Sequence, residues 1–257
     1  MKKNFRLAML KYVPEKWEVE KNFTFLKKFI EKAAYENADL LMTCECFLDG
    51  YCVRDINEDP DFFSCERFSG IAQDNADSVY INETRALAAK HDIHILLGYT
   101  QKKEDGFYNS AILIDSLGKD VGVYSKTHIY SHDEYYQQGK ELEVFETKYG
   151  KMGVMICADR RWPETARTLK IKGADIILNP TYGMHHEENE MWMRTRAYEN
   201  EIYIAFAHPE EAMILNPNGK IDAKLISNFP DLLIHTIDFS VAPNKMFPLR
   251  RPDLYVV

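Results

Sequence analysis

The apolar run Met152-Gly153-Val154-Met155-Ile156 stops on Cys157, and Ala158-Asp159-Arg160-Arg161 leads straight into Trp162-Pro163-Glu164. A short apolar run bounded by a charged turn predicts a buried strand over Met152 to Cys157. Proline and glutamate behind it predict a helix over Pro163 to Lys172. A strand that passes so directly into a helix belongs to a sheet covered by helices, which points to an α/β architecture. The thiol is left at the mouth of the sheet, near helix amides and two guanidinium groups, where thiolate is favoured over thiol. A buried, inert structural cysteine is the competing reading of that residue taken alone.

The same alternation runs along the chain. Phe5 to Leu10 reads as a strand. Trp17 to Tyr35 reads as a helix, with Trp17, Phe23, Leu26, Phe29, Ile30 and Ala33 at helical spacing, and Asp39 to Thr43 as a second strand. A polar loop from Asp55 to about Cys65, a helix from about Ala76 to Lys90 and a strand over Ile93 to Tyr99 follow. Asn109 to Asp115 and Val121 to Tyr124 then flank Gly118 as a β-hairpin, so the sheet is mixed. Asp175 to Asn179, Glu187 to Glu201 and Ile202 to Ala207 repeat strand, helix and strand, and Ala212 to Asp238 reads as short strands around Asn216-Pro217-Asn218-Gly219. Residues 1–243 form one domain, and 244–257 are a tail whose Phe247, Leu254 and Tyr255 pack on the domain or on a partner subunit.

A net charge of −8 argues against a nucleic-acid binder and leaves small-molecule chemistry as the leading class. No apolar run approaches membrane-spanning length, and Met1 to Phe5 enters a strand pattern, not a signal peptide. Five cysteines at spacings that suggest no disulfide framework place the chain in a reducing cytoplasm. His185-His186 with Glu187 or Glu188, and Cys44-x-Cys46, lack the spacing of a structural zinc motif, so no metal is expected.

Two further strand ends carry reactive side chains. One delivers Glu45 within Cys44-Glu45-Cys46-Phe47-Leu48-Asp49-Gly50-Tyr51, the other Lys126 within Tyr124-Ser125-Lys126-Thr127-His128. Together with Gly153-Val154-Met155-Ile156-Cys157-x-Asp159-x-Arg161-x-Pro163-Glu164, in that order, they resemble the carbon–nitrogen hydrolase (nitrilase-like) superfamily. The resemblance runs on through Gly173 to Ile177, Arg194 to Asn200 and Asn216-Pro217-x-Gly219. It implies a four-layer α-β-β-α sandwich that dimerises or forms larger homo-oligomers, and a Glu45, Lys126, Cys157 triad with no cofactor. Glu45 then takes the thiol proton and later activates water, the Cys157 sulfur attacks a carbonyl carbon, and Lys126 with the backbone N–H after Cys157 stabilises the oxyanion. Glu134 matches a second glutamate of many relatives that positions the lysine and the substrate. Relatives carry proline where this chain has Cys44, which puts a second thiol close to the site.

Ala158-Asp159 after the cysteine, instead of Trp-Glu, points to amide or carbamoyl hydrolysis over nitrile hydrolysis. Cys157-x-Asp159-Arg160-Arg161-Trp162-Pro163-Glu164 is similar to the N-carbamoyl-amino-acid amidohydrolases, in which arginines at the positions of Arg160 and Arg161 bind the substrate carboxylate. A guanidinium fork suits that partner, although one of the two also reads as a structural partner of Asp159 or Glu164. Those enzymes have asparagine where this chain has Ala158, and their rim loops are longer. Tyr51 and Tyr182 are expected to line the pocket, with Trp192 and His185 nearby. The expected partner is a small, carboxylate-bearing amide. An ω-amidase, an acyltransferase and a non-catalytic binding protein of the same fold are the competing readings.

Overall fold

Successive side chains of a strand face opposite ways, and in this chain both ways are apolar. Leu7, Met9, Leu40 and Met42 point into one cluster, while Ala8, Leu10 and Leu41 between them point into another. Ile176 and Leu178 join the first cluster and Ile177 a third. A strand buried on both faces must be sandwiched between layers.

The computed structural model describes residues 4–53, 55, 65–130, 133–183, 185–241, 243 and 245–255. Its strands are β1 (Phe5–Lys11), β2 (Leu40–Met42), β3 (His94–Lys103), β4 (Gly106–Ile114), β5 (Asp120–Ser125) and β6 (Val144–Thr147). They continue as β7 (Gly150–Val154), β8 (Ile176–Pro180), β9 (Tyr203–Ala207), β10 (Glu211–Leu215), β11 (Ile221–Ile226) and β12 (Asp231–Ile237). The helices are α1 (Val19–Tyr35), α2 (Cys65–Ile71), α3 (Val79–His91), α4 (Pro163–Ile171) and α5 (His186–Asn200).

Two six-stranded sheets result, in the orders β12-β1-β2-β3-β4-β5 and β11-β10-β9-β8-β7-β6. Both are mixed. β1, β2 and β3 run parallel, as do β7, β8 and β9, while the flanking strands pair antiparallel. The cluster shared by Leu7, Leu96, Val154, Leu178 and Ala205 lies between the sheets. Phe23, Leu26 and Ile30 of α1 with Ile81 and Ala88 of α3 cover the outside of the first sheet, and Ala166, Leu169, Met193 and Ala197 of α4 and α5 cover the second. This is an α-β-β-α sandwich.

The predicted hairpin is β4–β5, and β3 also pairs antiparallel with β4. The sequence reading missed β6, a short edge strand with only Val144 and Phe145 apolar, and the one-sided turns of α2. Most of the loop predicted between Asp55 and Cys65 lies outside the described residues. Part of the tail turns back on its own chain. Glu201 Oε1 accepts the backbone N–H groups of Met246 and Phe247, and the Phe247 ring lies 5.2 Å from the Arg167 guanidinium and 5.5 Å from Lys170 Nζ. Among the described residues no helix is long and apolar enough to cross a membrane.

The loop after β2 is held hard against β3. Thr43 donates its N–H to Leu96 O at 3.0 Å, Gly98 N donates to Thr43 Oγ1 at 3.0 Å, and Thr100 N donates to Asp49 Oδ1 at 3.0 Å. Glycine at position 98 permits this approach, because a Cβ there would sit 2.3 Å from Cys44 O and 3.0 Å from Cys46 N. Gly98→Ala is therefore expected to destabilise the fold by about 1–3 kcal/mol, as overpacking does. Urea unfolding measures it, and an unchanged midpoint would show that the loop is not seated on the strand.

Candidate active site

Three loops meet at the carboxyl ends of the strands. Glu45 follows β2, Lys126 follows β5, and Cys157 follows β7 of the facing sheet. Glu45, Lys126 and Asp133 are completely or almost completely buried. Lys126 Nζ bonds Glu45 Oε1 at 2.9 Å and Asp133 Oδ2 at 2.5 Å. Asn109 Nδ2 donates to the same Glu45 oxygen at 2.7 Å, while Oε2 is buried with no hydrogen-bond partner among the described residues. Burial alone would discharge a lysine, but Glu45, Cys157 and Asp133 outweigh it and raise the Lys126 pKa well above its ordinary value.

Cys157 begins a 3-10 turn, Cys157–Arg161, with its own φ at +44°. Non-glycine residues rarely take that conformation, and here the surroundings impose it. Asp159 is the anchor. Its carboxylate accepts from Ile156 N at 2.8 Å, Tyr124 Oη at 2.7 Å, Thr127 Oγ1 at 3.0 Å and His128 N at 2.9 Å, tying the turn to the loop that carries Lys126. The ion-pair partnership of an arginine with Asp159 is thus not formed; neither guanidinium is on that carboxylate.

The sulfur is not an intrinsically acidic thiol, contrary to the expectation from the helix amides and the two arginines. Burial and the Glu45 charge push its pKa up, and Arg160, Lys126 and a backbone hydrogen bond from Tyr182 pull it part of the way back. The two arginines are not a pair either. Arg160 is fully buried, with Nη1 3.3 Å from Cys157 Sγ and Nη2 2.6 Å from Asn189 Oδ1. Arg161 is half-buried at the rim, its Nη2 2.5 Å from His185 Nε2 and its guanidinium over the rings of Tyr130 and Trp192 at 5.0 and 5.3 Å.

Glu134 does not hold the lysine. It is exposed, and its neighbour Asp133 takes the buried position on Lys126. The loop reaches back as the spacing suggested, but a one-residue difference decides which carboxylate turns inward. Tyr51 is buried, its φ is +54°, and its hydroxyl donates to Asp133 Oδ1 at 2.5 Å while its ring packs 5.1 Å from that of Tyr182. Ala158 is buried beside the sulfur, and Tyr182 is nearly so. Cys44 is fully buried and belongs to the cluster that α1 and α3 cover. His185 engages Arg161 and the Trp192 ring.

The sequence reading missed Asp133, Asn109, Asn189 and Gly183. Asn109 was detectable as a polar residue at the entry to an apolar strand. Gly183 was not. A Cβ there would lie 3.3 Å from Cys157 Sγ and 3.5 Å from Arg160 Nη2, a closeness created by the fold.

A model of the carbon–nitrogen hydrolase family matches residues 6–243. A nitrilase from Pyrococcus abyssi is 30% identical over 269 residues, 97% of this chain and 98% of its own length. A citrullinase from Francisella tularensis is 27% identical over 98% of this chain and 97% of its own. Among solved structures, an amidase from Nesterenkonia sp. superposes with a TM-score of 0.80 at 21% identity, over 97% of this chain and 94% of that one, a likeness of fold.

Two measurements test the geometry without any substrate. Asp133→Ala removes one partner of a buried charge and is expected to cost about 3–5 kcal/mol, whereas Glu134→Ala should stay within about 0.5 kcal/mol of the parent. Equal effects in urea unfolding would reject the assignment of Asp133 to Lys126. His208 is buried with Nε2 3.2 Å from Tyr182 O, and burial lowers its pKa to about 4. A histidine held neutral stabilises the fold above its unfolded pKa of about 6.5 and loses that contribution as pH falls toward 4, at about 1.4 kcal/mol per unit. His208→Gln should therefore flatten the acid loss of stability between pH 6.5 and 4, and an unchanged slope would count against a buried neutral ring.

Proposed function

This chain belongs to the carbon–nitrogen hydrolase family, and we propose that it is a cysteine-dependent amidohydrolase with Glu45, Lys126 and Cys157 as its triad. The observation that carries the reading is the state of the Glu45 carboxylate. One oxygen is fixed by Lys126 and Asn109; the other is buried, unpartnered among the described residues, and its charge is felt at the Cys157 sulfur. A buried carboxylate oxygen without a donor is costly unless a proton arrives during the reaction.

In the proposed cycle Glu45 Oε2 takes the thiol proton and Cys157 Sγ attacks the carbonyl carbon. The carbonyl electron pair moves to oxygen, where Lys126 Nζ and the Ala158 N–H stabilise it. Collapse expels ammonia or an amine, which takes the proton from Glu45, and leaves an acyl-enzyme. Glu45 then deprotonates a water that attacks the acyl carbon, and the thiol is restored. Asp133, buried on the far side of Lys126 and fixed by Tyr51, keeps the ammonium charged and in place.

The substrate is proposed to be a small linear amide or N-carbamoyl amino acid with a carboxylate. Arg161 is the residue proposed to read that carboxylate: it borders solvent, its guanidinium lies 5.3 Å from the Trp192 ring, and its buried Nε–H has no acceptor among the described residues. Tyr51 and Tyr182, whose rings pack together at 5.1 Å, are proposed to line the site as well. Similarity to a citrullinase, whose name describes a carboxylate-bearing ureido substrate, supports the carbamoyl reading.

Ammonia release from a panel of N-carbamoyl amino acids, ω-amides and neutral aliphatic amides tests the proposal. Cys157→Ala is expected to abolish turnover, and Glu45→Gln to lower kcat by about 10²–10⁴-fold, the contribution of a positioned acid–base. Arg161→Met should raise KM for carboxylate-bearing substrates and leave neutral amides unaffected. A panel with no turnover, or turnover surviving in Cys157→Ala, would sink this reading.

A further inference from the structure

We propose that Arg160 acts on the nucleophile and not on the substrate, as a second buried cation against the Cys157 sulfur, and that Asn189 and Glu211 hold it there. The proposal rests on Cys157 being the nucleophile, and it removes Arg160 from the carboxylate clamp expected from the sequence.

The guanidinium has no freedom to serve as a clamp. It is completely buried, Nη1 is 3.3 Å from Sγ, and Nη2 is 2.6 Å from Asn189 Oδ1, so both terminal nitrogens are already engaged within the protein. The Trp192 and Phe206 rings lie 5.1 and 5.9 Å from it. Behind it, Asn189 Nδ2 donates to Gly183 O at 3.4 Å and to Glu211 Oε1 at 3.3 Å, which fixes the amide with its oxygen toward Arg160. Gly183 borders both groups: a Cβ at that position would crowd the sulfur at 3.3 Å and lie in ordinary contact with Arg160 Nη2 at 3.5 Å.

Charge accounts for the placement. A buried guanidinium is costly without an anion near it, and Glu211 is one hydrogen bond removed, behind Asn189. The buried cluster of Glu45, Asp133 and Lys126 carries one surplus negative charge. Arg160 cancels it whether the proton is on sulfur or on Glu45, so the S–H bond can break and the Glu45 O–H bond form inside a neutral cluster. Arg160 keeps its own protons throughout. The groups facing the sulfur are Glu45, Lys126 and Tyr51 from the first sheet, Arg160 from its own turn, and the Tyr182 backbone with nearby His185 from the loop after β8.

The test is the pH dependence of Cys157 alkylation by iodoacetamide, a neutral probe that needs no substrate recognition, read by mass spectrometry of the Cys157 peptide. In Arg160→Met the midpoint should rise by about one unit or more, the effect of a charge within hydrogen-bond range, and labelling at pH 7 should slow about tenfold. Arg160→Lys should restore part of the shift, and Asn189→Leu should give a smaller rise in the same direction. An unchanged midpoint in Arg160→Met, with a defect confined to KM for carboxylate-bearing substrates, overturns the proposal in favour of a clamp. Should Arg160→Met fail to fold, unchanged midpoints in both Arg160→Gln and Asn189→Leu overturn it equally. Absence of Cys157 labelling in the parent protein would instead overturn the nucleophile itself.

Discussion

Lys126 lies between two buried carboxylates, Glu45 at 2.9 Å and Asp133 at 2.5 Å, with almost no exposure for any of the three. Such a group is a liability on stability grounds alone, because desolvating three charges offsets most of their attraction, and apolar residues of the same size often do as well. Its presence is better explained by what it holds in place. The lysine comes from the end of β5, Glu45 from the end of β2 and Asp133 from the loop beyond, so the cluster can form only when the first sheet has its full strand order. The cysteine arrives from the other sheet. The site is therefore a property of the sandwich, and no single segment contains it.

The rest of the architecture serves that convergence by close approach. Thr43, Gly98 and Asp49 fasten the Glu45 loop to β3, and Asp49 is buried deeply enough that its pKa rises to about 6. On the second sheet, Asp159 gathers Ile156 N, ahead of the cysteine turn, together with Tyr124 of β5 and Thr127 and His128 of the Lys126 loop. One carboxylate thus ties the two sheets' loops to each other. It also makes the φ of +44° at Cys157 tolerable, since strain at one residue persists only where neighbours over-determine it.

Much of this was legible in the sequence. Strands buried on both faces write themselves as continuous apolar runs, and the period-two sorting of Leu40, Leu41 and Met42 between two clusters follows from the pleat. Glu45 and Cys157 are reactive side chains just past such runs, whereas Lys126 follows the half-exposed β5 and is tied to them by the family resemblance of the three segments in order. What stayed hidden depends on direction within a loop. Asp133 and Glu134 are adjacent carboxylates in a segment with no periodicity, and only packing of Tyr51 and Lys126 decides which one faces inward. The same holds for Asn189, a polar residue on a charged helix whose inward face shows only once α5 is seated on the second sheet.

The two arginines show why a motif fixes chemistry less tightly than it fixes position. Arg160 and Arg161 are consecutive in a 3-10 turn, where neighbouring side chains diverge by about a third of a turn. With Asp159 directed at the Lys126 loop, Arg160 is carried into the space between the sulfur and α5, and Arg161 out to the rim beside His185 and Trp192. Two equal charges one residue apart thereby enter different dielectric surroundings. The inner one acts over a short distance in a dry environment, where a guanidinium weighs heavily on the protonation of its neighbour. The outer one keeps contact with solvent, which suits the carboxylate-reading role proposed for it. Separation of the pair by the turn, more than the identity of either residue, is what allows the two different roles proposed for them in one site.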